Sequence, residues 1–289
     1  MSKIKIAEIF HSLQGEGLYV GQPSVFIRTF GCNFQCKGFG LTTSDVNTIK
    51  FSEADGIAVI RKIHPEWKYN DLPLVTTGCD SYASWHPKFK DLSPMMEVDD
   101  ILKEMEIARK QNEPFEHVHE GGTHIVITGG EPLLGWQKSY PELLTKVVDL
   151  GYSHITIETN GTQPIGNEFD EFLLSTRCNI TFSVSPKLPC SGERIEDALQ
   201  PEIVASYQQY GLTYLKFVVS NEDDIKYVNS FVKSYKDAGF CGEVFLMPCG
   251  GDSEMYNLNA PEVARLAMHE GYRYSPRLQV DLWKNKWGT

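Results

Sequence analysis

The chain has 289 residues, 41% hydrophobic and 22% charged, with a formal net charge of −11 and a pI near 5.2. That length can bury a large core, and that mixture excludes an intrinsically disordered chain. The acidic balance excludes a broad non-specific phosphate-binding face, so no direct nucleic-acid partner is expected, although a local basic pocket stays open.

In chain order, Ile4-Lys-Ile-Ala-Glu-Ile-Phe10 alternates as a strand, and His11-Ser-Leu-Gln-Gly-Glu-Gly17 follows as a Gly-bracketed polar loop. Its glycines let backbone approach a ligand, with an amide at Gln14 and a carboxylate at Glu16. A solvated turn explains the same residues. The apolar stretch Ser24 to Phe30 reads as the second strand and contains Arg28. A charge there needs a partner, either an anionic ligand or an internal carboxylate.

That strand exits into Gly31-Cys32-Asn-Phe-Gln-Cys36. A lone cysteine is more often a small buried hydrophobe. A C-x3-C pair on a strand exit is different, because it can turn two thiolates toward one soft metal centre. The repeated C-x2-C of a zinc hairpin and the C-x-x-C redox motif are both absent. Residues 37–78 then form an excursion, with Phe51 to Ile63 as a strand or short helix. A stretch that long must carry structure of its own. It ends at Thr77-Gly-Cys79-Asp-Ser-Tyr-Ala83, whose cysteine is a candidate third ligand.

Further on, strand and helix patterns alternate. Val98 to Lys110 has helical spacing, and Thr123–Thr128 is a short buried strand running into Gly129-Gly-Glu-Pro132. A helix over Glu142 to Leu150 stops at Gly151. Strands follow at 153–159, 179–184, 212–219 and 242–248, with helical faces over 224–237 and 262–270. Repeated strand-then-helix units predict an α/β fold with a parallel sheet, open or partly closed into a barrel. Gly and polar clusters recur at the strand ends, at Gly129-Gly130, Asn160-Gly161, Ser185–Lys187 and Gly250-Gly251. Carboxyl ends of parallel strands share one edge where ligands bind, so these exits and the cysteine pair favour a common pocket. No apolar run reaches spanning length, and the start Met1-Ser-Lys-Ile-Lys5 lacks a signal-peptide core, so no membrane partner is expected. Seven cysteines, an odd number without a framework, fit a reducing cytoplasm.

Cysteines after an early strand and Gly-Gly-Glu-Pro after a later one resemble the radical S-adenosylmethionine enzymes. More closely, Glu8-Ile-Phe-His-Ser-Leu-Gln-Gly-Glu-Gly17, Phe26-Ile-Arg28 and Gly31-Cys-Asn33 are similar to the 7-carboxy-7-deazaguanine synthase family. Thr128-Gly-Gly-Glu-Pro132, Glu158-Thr-Asn-Gly161, Ser185-Pro-Lys187 and Arg277–Lys284 continue the match in order. The resemblance implies a partial parallel β/α barrel as a single domain over 1–289, with an insertion in the cluster loop at about 37–78.

In that family three cysteines bind a 4Fe-4S cluster, in spacings such as C-x3-C-x2-C followed by Asp-Thr. Here Phe39 stands where the third would fall, and Cys79-Asp80-Ser81 carries the matching flank. The resemblance therefore assigns Cys32, Cys36 and Cys79 to the cluster, spaced C-x3-C-x42-C; Cys178, Cys190, Cys241 and Cys249 lack the flank. It implies S-adenosylmethionine held by Asp80, Gly129, Gly130, Glu131, Asn160, Ser185 and Lys187, with Glu131 near the ammonium. It implies a 6-carboxytetrahydropterin against Leu13, Gln14, Gly15, Glu16 and Thr128, its carboxylate paired with Arg28. Mg2+ would be held in part by the Ser81 hydroxyl, since hard cations take oxygen ligands. The implied reaction is radical ring contraction with loss of ammonia, in queuosine-type biosynthesis. It needs an external electron donor such as a flavodoxin, and a homodimer is compatible with it. Trp283 departs from the family, which has His there. Two other readings compete: another radical S-adenosylmethionine enzyme such as a glycyl-radical activase, and a zinc-stabilised binding protein without redox chemistry.

Overall fold

The computed structural model describes residues 2–46, 48–112 and 122–289. Its strands are β1 (Lys3–Leu13), β2 (Pro23–Thr29), β3 (Met95–Glu97), β4 (His124–Gly129), β5 (His154–Thr159), β6 (Asn179–Val184), β7 (Leu212–Val219), β8 (Val244–Pro248) and β9 (Arg273–Tyr274). Its helices are α1 (Thr43–Val46), α2 (Glu53–Ile60), α3 (Val98–Asn112), α4 (Tyr140–Asp149), α5 (Asn167–Ser175), α6 (Ile195–Ala198), α7 (Pro201–Tyr207), α8 (Glu222–Asp237), α9 (Ser253–Glu270) and α10 (Leu278–Trp283).

The strands form one sheet in the order β3-β1-β2-β4-β5-β6-β7-β8-β9. From β2 to β9 every pairing is parallel, and helices fill the crossovers, as parallel neighbours require. The order runs between two edge strands, β3 and β9, so the β/α barrel is incomplete. At one end β1 runs antiparallel to both β2 and β3. The short loop from β1 to β2 allows this, whereas a parallel pair needs a long crossover.

Alternation along the strands separates two faces. Ile125, Ile127, Ile155, Ile157, Phe182, Leu215, Phe217 and Leu246 pack with the helices in one core. Their alternates Thr128, Glu158, Ser183, Lys216 and Met247 line a cleft on the other face. Beneath that polar rim, Phe10, Phe26 and Val126 form an apolar floor, with the two rings stacked at 4.7 Å.

The excursion after Cys36 is a small layer of its own. The stretch Phe51 to Ile63, ambiguous by periodicity, is the helix α2 and a following 3-10 turn. Ser52 caps it reciprocally, accepting from Asp55 N at 3.3 Å while Asp55 Oδ2 accepts from Ser52 N at 2.9 Å. Its inner face, Ala54, Ile57 and Ala58, joins Tyr69, Leu72, Val75, Tyr82 and Trp85 in a second apolar cluster. Each large buried side chain there contributes roughly 1.5–3 kcal/mol. Cys32 and Cys79 pack against this cluster, so the excursion forms the wall behind the thiols.

Candidate active site

Cys32, Cys36 and Cys79 line one cleft. Gly78 N donates to Phe39 O at 2.7 Å just before Cys79 and so rejoins the two ends of the excursion. Phe39 itself packs beside Cys32, Cys36 and Cys79. Cys36 has φ of +49°, a left-handed conformation that L side chains resist. Glu193 holds it there, its Oε1 accepting from Gln35 N at 2.8 Å and from Cys36 N at 2.7 Å.

Burial pushes the Cys32 thiol up to about 12 and the Cys79 thiol up to about 11, and it raises Cys36 as well. Lys187 opposes that effect at all three. Cys249 also lines the cleft, but it engages Ser220 and the Gly40 backbone, with Arg277 and Asp224 as its charged neighbours. Among the described residues no three His, Cys, Asp or Glu side chains close on one ion position, but the three thiols are near enough to act on one another, Cys79 on Cys32 and both of these on Cys36. Three enclosed thiols facing one cation fit an iron–sulfur cluster with one iron left free of protein ligands.

The strand exits build the adjoining wall. A Cβ on Gly130 would lie 2.4 Å from Gly31 O and 2.8 Å from Cys32 Cβ, so this glycine lets β4 press against the cysteine loop. Both Gly129 and Gly130 line the cleft. Glu131 is placed otherwise than the resemblance implies. Its carboxylate is fully buried and accepts from Leu133 N at 3.0 Å, Thr159 Oγ1 at 2.8 Å and Asn160 N at 2.7 Å. With its oxygens taken inward, it positions the exit of β5 and is not among the lining residues. Asn160 does line the cleft, its Nδ2 donating to Asn33 Oδ1 at 2.9 Å. Ser185 and Lys187 face the same space, with Lys187 Nζ donating to Ser185 Oγ at 3.0 Å.

The rim on the other side is a charged row. Register aligns Glu8 with Arg28, Arg28 with Thr128, and Glu158 with Ser183. Arg28 has an internal carboxylate: its Nε donates to Glu8 Oε2 at 3.3 Å and its Nη1 to Ser81 Oγ at 3.2 Å. Gln14 Nε2 donates to Glu158 Oε1 at 3.1 Å, and Thr128 Oγ1 to Glu158 Oε2 at 3.0 Å. Leu13, Gly15 and Glu16 line the cleft beside them. Gly17, at φ +69°, turns the loop and donates to Ser275 Oγ at 2.8 Å; a Cβ there would strike the Tyr214 hydroxyl.

Glu16 lies between two cations. Lys216 Nζ donates to its Oε2 at 2.5 Å, while Arg277 Nε and Gln279 Nε2 donate to Oε1 at 3.2 and 2.7 Å. Burial alone would raise this carboxyl, but Lys216 and Arg277 outweigh it and hold the pKa at about 2. Arg277 also donates to Asp80 and to Gly250 O. Glu8, Glu158, Lys216, Arg277 and Gln279 are lining residues that sequence reasoning did not assign. For Lys216 a signal existed, a lone cation in the apolar strand Leu212–Val219, the same signal that singled out Arg28.

No family model matches the chain. A protein of Halobacterium salinarum named 7-carboxy-7-deazaguanine synthase is 33% identical over 306 aligned positions, covering 98% of this chain and 91% of that one. Proteins of the same name from Pyrobaculum aerophilum and Rhodopirellula baltica are each 28% identical, covering 99% and 100% of this chain and 97% and 90% of theirs. The crystal structure of QueE from Escherichia coli shares the fold, with a TM-score of 0.54 at 20% identity over 96% of this chain and 94% of that one. Three thiols, a Gly-bracketed loop and charged strand exits on one cleft, together with full-length similarity at that level, make this chain a member of the 7-carboxy-7-deazaguanine synthase family.

Proposed function

We propose that the chain catalyses radical ring contraction of 6-carboxy-5,6,7,8-tetrahydropterin to 7-carboxy-7-deazaguanine with loss of ammonia. The observation that carries this reading is the convergence of Cys79 with Cys32 and Cys36 on the cleft that the Gln14–Gly17 loop closes. Cys32, Cys36 and Cys79 would hold a 4Fe-4S cluster, which would supply one-electron reduction to S-adenosylmethionine bound beside it.

The chain's own residues bind, orient and exclude water. Gly129 and Gly130 present backbone to the cofactor's methionyl part, while Ser185, Lys187 and Asn160 take its ribose and carboxylate. Glu131 acts indirectly, by holding Asn160 in place. The carboxylates Asp80 and Glu158, both on the cleft, are the partners available to the cofactor's ammonium. Leu13, Gln14, Gly15 and Thr128 bound the pterin. Glu16, kept ionised by Lys216 and Arg277, sets the height of that loop. Arg28 offers the substrate carboxylate the donors that Glu8 leaves free.

Ser81 Oγ lies 3.2 Å from Asp80 Oδ1, two oxygens of the hard type that Mg2+ accepts. Ser81 Oγ accepts from Arg28 Nη1 at 3.2 Å, which leaves it one further lone pair for a cation. The chain would act as one domain on a small-molecule substrate, with an external one-electron carrier. Anaerobic reconstitution with iron and sulfide, then incubation with S-adenosylmethionine, dithionite and the carboxypterin, tests the reading. The expected result is 5′-deoxyadenosine together with 7-carboxy-7-deazaguanine. A colourless protein that retains zinc and forms neither would overturn it.

A further inference from the structure

The helix α10 ends at Trp283, and the next residues turn sharply. Lys284 and Asn285 have φ of +57° and +60°, two L residues in the left-handed region. They send the chain back along the cleft as a strap, whose Asn285, Trp287 and Gly288 line it. Conformations of that kind persist only where their surroundings over-determine them. Here Asn285 Nδ2 donates to Gly251 O at 2.9 Å, and Trp287 supplies the second anchor.

Trp287 is seated in the excursion. Its Nε1 donates to Leu72 O at 2.7 Å, 215 positions earlier in the chain, and its ring meets Tyr69 and Tyr82 edge-on at 5.0 and 5.7 Å. Tyr82 is fully buried and its hydroxyl donates to Pro73 O at 2.7 Å, which fixes that side of the socket.

From the socket a row of neighbours leads to Arg28. Gly288 has φ of +79°, and a Cβ on it would lie 3.7 Å from Glu8 Oε1. The other oxygen of Glu8 accepts from Arg28 Nε at 3.3 Å. Burial raises the pKa of Glu8, while Arg28 and the Gly288 backbone lower it. Tyr69 belongs to the same group. Its hydroxyl is buried without a hydrogen-bond partner, and Arg28 and Glu8 are the charged groups that act on it most strongly. A buried donor left unused calls for a physical reason. A carboxylate bound to the remaining donors of Arg28 competes with Glu8 for the guanidinium, and the Tyr69 hydroxyl is the donor at hand to keep the buried Glu8 compensated.

We propose that Trp287 and Tyr69 are positioning residues for the substrate's carboxylate. The excursion seats the strap through Trp287, the strap sets Glu8, and the Tyr69 hydroxyl takes up Glu8 as Arg28 engages the ligand. Only hydrogen bonds are exchanged; no covalent bond or electron is involved. This rests on the carboxypterin reading of the cleft.

The probes are 6-carboxypterin and 6-methylpterin, which differ only in the group at C6. Each is titrated by its fluorescence against the reconstituted protein with S-adenosylmethionine present. The wild type is expected to prefer 6-carboxypterin. Tyr69→Phe keeps the ring against Trp287, and Trp287→Phe keeps a ring in the socket without the donor to Leu72 O. Each should weaken 6-carboxypterin by about tenfold and 6-methylpterin by less than about twofold, at wild-type iron content; Trp287→Ala should weaken 6-carboxypterin further. Turnover should show the same split, with KM for the tetrahydro substrate raised and kcat near the wild-type value. A preference for 6-carboxypterin kept intact by both Phe variants overturns the proposal. So does equal weakening of the two pterins, because a purely structural role moves them together. A wild type that binds both pterins alike overturns the carboxypterin reading beneath, and the proposal falls with it.

Discussion

Asp80, the residue after Cys79, is gripped by Arg277 from 197 positions further along the chain, and the same guanidinium reaches Glu16 of the Gly-bracketed loop. One side chain at the start of α10 thus ties the cysteine segment to the loop that closes the cleft. The fork geometry of Arg serves this, since its nitrogens reach Glu16, Asp80 and Gly250 O in different directions.

Arg277→Ala leaves Asp80 and part of Glu16 uncompensated. Breaking a buried pair by removing one partner costs ~3–5 kcal/mol, so the melting temperature should fall by on the order of 10 °C. Iron retained per chain after reconstitution should fall with it. Arg277→Lys keeps the charge but not the fork and should recover only part of both. Melting and iron analysis on the two variants check this; wild-type values for Arg277→Ala would remove the clamp from the account.

Such a clamp is invisible in the sequence, because nothing local links positions 16, 80, 216 and 277. What was legible were the strands. Ile125, Ile127, Ile155 and Ile157 recur at every second position, the period of a strand with one face turned to a helix-covered core. The excursion was harder. Its helix α2 carries apolar residues both inward, at Ala54, Ile57 and Ala58, and outward, at Val59 and Ile60, which blurs the helical period. The short α5 and α7 hold too few turns for a helical period to show in the sequence. Within the site, motif residues were found but not their directions. Gly-Gly-Glu-Pro announces a carboxylate at 131, yet only packing turns it inward to Thr159 and Asn160.

Glu193 should matter to a cluster it does not touch. Its carboxylate accepts the two backbone N–H groups that hold Cys36 at positive φ. Hydrogen bonds to a charged acceptor contribute ~1.5–3 kcal/mol each, enough to outweigh the ~1–2 kcal/mol preference of an L residue for the right-handed side. Glu193→Ala should relax Cys36, reduce iron content several-fold and lower the melting temperature by a few degrees. Glu193→Gln, still an acceptor, should retain most of the iron.

The cysteines separate by place. Cys79→Ala should abolish cluster loading, because Cys79 shares the cleft with Cys32 and Cys36. Cys178→Ala should load normally, since its sulfur packs against Tyr152 O at 3.7 Å and does not line the cleft. Visible absorption of the reconstituted proteins measures both. The reverse result would move the cluster elsewhere.

A pH dependence should come from the opposite end of the sheet. His124 and His154 open β4 and β5, their rings stacked at 4.6 Å, with Tyr19 edge-on to His124 at 4.7 Å. His124 is 6% exposed, and its Nδ1 has no hydrogen-bond partner. Burial first, and His154 second, lower its pKa from 6.5 to about 4. The unfolded chain therefore binds a proton at this position that the folded chain refuses. Stability from the neutral imidazole is complete above pH 6.5 and drains as pH falls toward 4, by no more than ~3 kcal/mol. His124→Phe keeps an aromatic ring beside His154 but cannot titrate. Urea midpoints at pH 7 and pH 5 should differ less for this variant than for the wild type. Parallel shifts in the two proteins would show that other groups carry the acid sensitivity and that the imidazole stack contributes none.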